Sequence, residues 1–273
     1  KRARMKYLIA DWGLERFKAK VEEYYGESLP DPAPEEVNGF DDHIGWHTQG
    51  DGRWYYGLNV ENGRIKDEGH FKLKAALKKI CKEISPGIRL TSHQAIIFCD
   101  VEEADKAKIE KILHDHGVKL SHEISTARRW SMACPAWPTC GLAITESERA
   151  LPGIIDELEV ELDKLGLADE AFTLRMTGCP NGCARPYNAE IGLVGKAKDK
   201  YTVFLGGGSL GDRQNSIYKD MVPAEEVVPT LVGGVRCFKD NREDGESFGN
   251  LCHRVGNDQL TAWTEQQTTE SIG

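Results

Sequence analysis

Residues 177–186 read TGCPNGCARP. Cys179 and Cys183 close a C-x3-C turn that also contains Pro180, Asn181 and Gly182. Proline fixes one backbone angle and glycine tolerates positive φ, so such a turn is ordered at low entropic cost. Upstream, residues 131–141 read SMACPAWPTCG, a C-x5-C loop with two prolines that carries Cys134 and Cys140. Neither spacing is the C-x2-C of zinc knuckles and thioredoxin-like sites. Thiols on two rigid turns are the material of a preformed metal site. The wide loops suit a bulky iron–sulfur cubane better than one zinc ion. On spacing alone, structural zinc and unliganded thiols remain alternatives. Backbone N–H groups of the second turn would point at cluster sulfurs and tune their potential.

The other four cysteines, Cys81, Cys99, Cys237 and Cys252, fall inside expected helices and strands. They read as small buried hydrophobes.

Around these loops lies a chain of 273 residues, 40% apolar and 29% charged, enough for one large domain or two ordinary ones. Its net charge of −9 argues against nonspecific nucleic-acid binding, which needs a basic face. No apolar run reaches the ~18 residues of a membrane span. The start, KRARMKYLIADWG, lacks a long apolar core and a cleavage site, so no secretion signal is expected. The expected location is cytoplasmic, and a plastid protein stripped of its transit peptide would read the same. The missing initiator Met points to an excised or processed piece. No Gly-x-Gly-x-x-Gly follows a strand, so neither a flavin nor a nicotinamide site is expected.

Residues 1–26 read as a helix stopping at Gly26, and LPDPAPEEVNG (29–39) as a proline-rich arm, giving an N-terminal helix and linker over 1–35. RWYYGLNVENGRI (53–65) reads as a strand pair turning at residues 61–63. FKLKAALKKICKEI (71–84) is a helix with Leu73, Ala76, Leu77, Ile80 and Cys81 on one face. A strand (89–101) and a helix ended by Gly117 follow. Strand, strand, helix, strand, helix is a ferredoxin-like lobe, placed over 36–125. Residues 126–262 form a second, α/β lobe, with a helix over 152–166, strands at FTLRM, AEIGLVG and YTVFLGG, and a helix over 224–238 kinked by Pro229 and two glycines. The polar end, 263–273, is expected to fray. The fold class is α+β.

SMACPAWPTCGLAITESER (131–149) followed by TGCPNGCARPYNAEIGLVGK (177–196) closely resembles the sirohaem- and 4Fe–4S-containing sulfite and nitrite reductases. RARMKYLIADWG, IGW, ENGRI, GIRLTSHQAII, YTVFLGGGSLGDR and GESFG extend the likeness to about Leu260. The wording NGCARPYNAEIGLVG is similar to the assimilatory sulfite reductases, whereas nitrite reductases tend to carry Ser in place of Gly182. The resemblance implies that Cys134, Cys140, Cys179 and Cys183 ligate a 4Fe–4S cluster. Cys183 would also bridge to the sirohaem iron, which makes it the catalytic cysteine. Asn181, Gly182, Ala133 and Arg185 would lie beside the cluster or macrocycle. Sulfite is the implied substrate, and ferredoxin or an NADPH-dependent flavoprotein the implied electron donor. Nitrite reductase is the nearest enzyme rival. A non-catalytic iron–sulfur electron-transfer module and a structural zinc protein are rivals of other classes.

Members of that family are about twice as long and contain two similar halves. This chain matches the second. The first half, which supplies most of the Arg and Lys that grip the substrate anion and the sirohaem carboxylates, is absent. Arg128, Arg129 and Arg175 flank the cysteine loops and are candidates for haem carboxylates or for plain salt bridges. Arg89 and His93 occupy the repeat position of a basic motif and are given no catalytic role. LGGGSLGDR (205–213) reads equally as an anion-binding nest and as a flexible turn. Lys72, Lys74, Lys78, Lys79 and Lys82 read as a solvated helix face before a docking surface for an acidic donor.

Overall fold

The computed structural model of the chain describes residues 5–31, 38–39 and 41–270. It divides into one unit ending at Asn38 and another beginning at Gly39. In the first unit, α1 (Met5–Trp12) and α2 (Leu14–Tyr25) stand where one helix is expected. Gly13, at φ 79°, breaks the run, and Gly26, at φ 91°, closes α2 as expected of a left-handed C-cap. Most of the proline-rich arm lies outside the described residues.

The described part of the second unit holds two large sheets, each with its own core, and one two-stranded pair. The first sheet comprises β1 (Gly45–Thr48), β2 (Trp54–Asn59), β5 (Gly87–Leu90) and β6 (Ala95–Val101), in the order β1-β2-β6-β5 and antiparallel throughout. A two-residue pair, β3 (Asp67–Glu68) with β4 (Phe71–Lys72), precedes α3 (Leu73–Glu83), and α4 (Lys106–Asp115) follows β6. Tyr56, Leu58, Ile96 and Phe98 bury against Leu73, Ala76 and Ile80 of α3 and Ile109 and Leu113 of α4. This is the ferredoxin-like layer expected from the pattern.

Three details differ from expectation. The single strand expected over 89–101 is two, β5 and β6, because the chain folds back at residues 91–94, where Thr91 N donates to Ala95 O at 3.0 Å, into an antiparallel pair. The strand pair at 53–65 does not form. Asn62 takes a left-handed φ of 51° within a 3-10 turn, Glu61–Gly63, which leads the chain away from the sheet. β2 pairs instead with β1 and β6. Cys81 is exposed rather than buried. Leu73, Ala76 and Ile80 centre the buried stripe of α3, and one residue past Ile80 turns the helix by ~100°, out of that stripe.

The second sheet has the order β11-β10-β9-β8-β7, from β7 (Ser131–Ala133), β8 (Leu174–Thr177), β9 (Ile191–Ala197), β10 (Lys200–Leu205) and β11 (Ser216–Pro223). β7, β8 and β9 run parallel, and β9, β10 and β11 antiparallel. The short helix α5 (Thr126–Arg129) leads into β7, and α6 (Leu151–Leu165) crosses from β7 to β8. Gly166, at φ 71°, caps α6. The other parallel link, β8 to β9, has only a 3-10 turn at Pro186–Asn188, so residues 178–190 make the crossover as loop. α7 (Val227–Asn241) is unbroken. Pro229 falls in its first turn, where no backbone N–H is needed, so the expected kink is absent. α8 (Phe248–Val255) follows, and then α9 (Asn257–Glu270), which starts around fully buried Leu260, is helical over residues 263–270 of the stretch expected to fray, the rest of which lies outside the described residues. Phe172, Phe238 and Phe248 meet edge to face, with centroids 5.5–5.9 Å apart, at the centre of this core. Of the cysteines in elements, Cys99, Cys237 and Cys252 are buried.

Among the described residues no helix is long and apolar enough to cross a membrane.

Candidate metal centre

β7 and β8 are adjacent parallel strands, and the register pairs Ala133 with Met176. Cys134 therefore leaves the C-terminal end of one strand beside the point where the Thr177–Gly178–Cys179 turn leaves the other. Loops at the carboxyl ends of parallel strands are where α/β sheets hold ligands.

Backbone bonds lock the two loops together. Cys134 N donates to Met176 O at 3.1 Å, and Gly178 N donates to Cys134 Sγ at 3.3 Å. Ile144 and Thr145 N both donate to Gly178 O, at 2.8 and 3.1 Å. Cys140 is held by its N–H to Ala136 O at 2.7 Å. Gly178 has to be glycine: a Cβ there would lie 2.5 Å from Thr145 O and 2.7 Å from Ala136 Cβ.

The Cys179–Cys183 turn is shaped from within. Gly182 takes φ 69°, and a Cβ on it would meet the Tyr187 ring at 2.8 Å. Tyr187 Oη donates to Pro180 O at 2.9 Å, and Arg185 N to Gly182 O at 2.9 Å. Arg185 itself is left-handed, at φ 57°, and its Nη2 donates to Ser92 O of the first sheet's β5–β6 turn at 2.8 Å. From the same turn Gln94 Nε2 donates to Ala133 O at 2.7 Å. The first lobe thus braces the end of β7 and the residues just after the Cys179–Cys183 turn. Ser92 and Gln94 were not singled out in the sequence, because their contacts lie 93 and 39 residues away along the chain.

Cys134 and Cys179 are buried, Cys140 is half-buried and Cys183 is exposed; none is in a disulfide. Burial pushes the Cys134 thiol up, opposed by Gly178 N–H, the Ser147 hydroxyl and the Ala136 backbone. Cys183 is near enough to push it up as well.

Among the described residues no three His, Cys, Asp or Glu side chains gather tightly enough for a single metal ion. Zinc, with bonds of about 2.3 Å to sulfur, would draw four thiolates to within roughly 4 Å of one another. A cubane offers a separate iron to each thiolate and accepts a wider set. Four unbridged thiols on interlocked loops, with a backbone N–H already aimed at one sulfur, fit that group.

The three candidate arginines separate clearly. Arg128 is engaged by Glu61, Asp156 and Glu159, and Arg129 binds Asp42 at 2.6 Å. Among the described residues Arg175 has no such partner. It is 6% exposed, and its Nε has no hydrogen-bond acceptor. In the 205–213 loop, Arg213 Nε donates to Gly206 O at 2.9 Å, so a side chain ties the turn internally. The α3 lysines are exposed.

Two family models match. The nitrite/sulfite reductase ferredoxin-like half domain covers residues 47–116, and the nitrite and sulphite reductase 4Fe-4S domain covers residues 125–272. The chain belongs to the nitrite and sulfite reductase family. Within that family it is 45% identical over 269 residues to the sulfite reductase (ferredoxin) of Synechococcus elongatus, covering 98% of this chain and 43% of that protein. It is 43% identical over 254 residues to the sulfite reductase (NADPH) hemoprotein beta-component of Staphylococcus carnosus, covering 93% of this chain and 44% of that one. The solved Mycobacterium tuberculosis NirA protein superposes with a TM-score of 0.77 at 28% identity, over 95% of this chain and 49% of NirA. The chain thus spans less than half the length of these relatives.

Proposed function

We propose that the chain is the cluster-bearing half of an assimilatory sulfite reductase. Cys134, Cys140, Cys179 and Cys183 would ligate a 4Fe–4S cluster, and Cys183 would also serve the iron of a sirohaem. The observation that carries this is the pairing of the two cysteine loops at the carboxyl ends of β7 and β8, with one thiol, Cys183, left exposed. The bound cofactors supply the electron chemistry: sulfite takes up six electrons and loses its oxygens as water, each needing two protons.

This chain's own residues hold the frame. Gly178 lets the loops approach, Gly182 bends the second turn, and Asn181 lies within it. Gln94 fixes the Ala133 carbonyl, and Arg185 ties the turn to Ser92. Relatives carry both ferredoxin and NADPH in their names, and we read the donor here as one of these two classes.

The test is anaerobic reconstitution of the chain with iron and sulfide, with and without sirohaem, followed by metal counts and absorption spectra. About four irons and four labile sulfides per chain, lost in Cys179→Ser, support the reading. Stoichiometric zinc with no labile sulfide would sink it. With sirohaem bound, turnover of sulfite over nitrite separates this enzyme from a nitrite reductase.

A further inference from the structure

We infer that Arg175 is a positioning residue that holds a permanent positive charge behind the cysteine loop, balancing the anionic cluster and raising its reduction potential. The inference rests on the cluster ligation proposed above. Side chains alternate along a strand. Leu174 and Met176 enter the core of the second lobe, so Arg175 and Thr177 face the other way. The register sets Arg175 against Met132, two residues before Cys134 and on the same face. Met132, Cys134, Ala136 and Ala184 form a small apolar cluster there. Arg175 Nη1 lies 3.5 Å from the Arg185 carbonyl, at the end of the TGCPNGCAR loop.

A buried cation with no acid bound to it is costly in the empty fold. Burial first, then the Arg185 guanidinium, bring Arg175 down to about 10, which still leaves it charged at neutral pH. Among the described residues, the acid it feels is Glu190. That carboxylate accepts from Thr173 N, Thr173 Oγ1 and Gly249 N, at 3.0, 3.2 and 3.0 Å, and makes no bond to Arg175. Four thiolates around a cubane leave the assembly anionic, and each added electron makes it more so. Net charge and burial are among the factors that set cluster potentials. A fixed cation on this face therefore favours the reduced form.

The experiment compares the full chain with its Arg175→Met and Arg175→Lys variants, each reconstituted with iron and sulfide and titrated potentiometrically by EPR. Apo-protein stability in urea is measured alongside. At the potential where the wild type is half reduced, Arg175→Met should show a reduced-to-oxidised ratio about tenfold lower, and Arg175→Lys should restore most of it. The apo Arg175→Met chain should unfold at the same or higher urea, because an unpaired buried charge has gone. A Met variant that reduces at the wild-type potential overturns the inference. So does a Lys variant that shifts as far as Met, or one that shifts this far when Met is too unstable to titrate. A wild-type chain that takes up no iron overturns the cluster reading itself, and the inference with it.

Discussion

At Gly178 a single methyl group decides whether the two cysteine loops can meet. Its Cβ would press on a backbone oxygen and on Ala136, neither of which is the far end of a flexible side chain. Gly178→Ala should cost about 1–3 kcal/mol and release iron before it unfolds the chain. Urea titration beside an iron count would show the two effects separately. Tyr201 makes a different prediction. Burial pushes its hydroxyl up from 10.0 to about 12, and that hydroxyl donates to Glu146 O at 2.8 Å. The folded state holds this proton more tightly than the unfolded state does. The contribution is therefore whole below pH 10 and fades as pH climbs towards 12, by roughly 3 kcal/mol. Tyr201→Phe should lose about 1 kcal/mol at pH 7 and show a shallower alkaline decline, measured by denaturation across pH 8–12.

Among the elements, α9 is the one whose polar sequence hides its anchoring. Leu260→Ala should destabilise by about 2–5 kcal/mol, read as a fall in melting temperature. Periodicity located α3, α4, α6 and α7, because their apolar stripes, and the glycines that follow α4 and α6, are local features. Pro152 and Gly166 bracket α6 from its own residues. It failed where partners are distant. β11 carries few buried residues and exists because β10 pairs with it. The 61–63 turn leads out of the sheet towards the second lobe, where Asn62 Nδ2 reaches Glu148 O at 2.9 Å. The cysteine loops were readable because thiol, proline and glycine chemistry is written within ten residues. Their bracing by Gln94 and Arg185 was not, since each contact depends on how the two lobes meet.

Across the Gly39–Gly273 unit, the seam between the lobes is polar. Arg64 binds Glu148 through both Nε and Nη2 at 2.6 Å, and Arg128 gathers Glu61 from one lobe with Asp156 and Glu159 from the other. Two separate apolar cores joined by such contacts unfold together only while the seam holds. The Arg64→Ala, Arg128→Ala double variant should split calorimetric unfolding into two transitions, the intact chain showing one. Loss of Arg128 alone should cost about 1–3 kcal/mol, since three carboxylates lose their common donor.

The β8-to-β9 crossover has a consequence for descent. Most parallel strand pairs are linked by a helix that could persist after any nearby activity was lost. Here the link is the TGCPNGCARP segment itself, and a parallel pair cannot be closed by a short hairpin. A lineage with no use for the proposed cluster could mutate the thiols but could not delete the loop without undoing the sheet. Descendants that no longer bind metal should therefore still carry a stretch of this length, with glycine at the two tight positions, as a relic in the architecture.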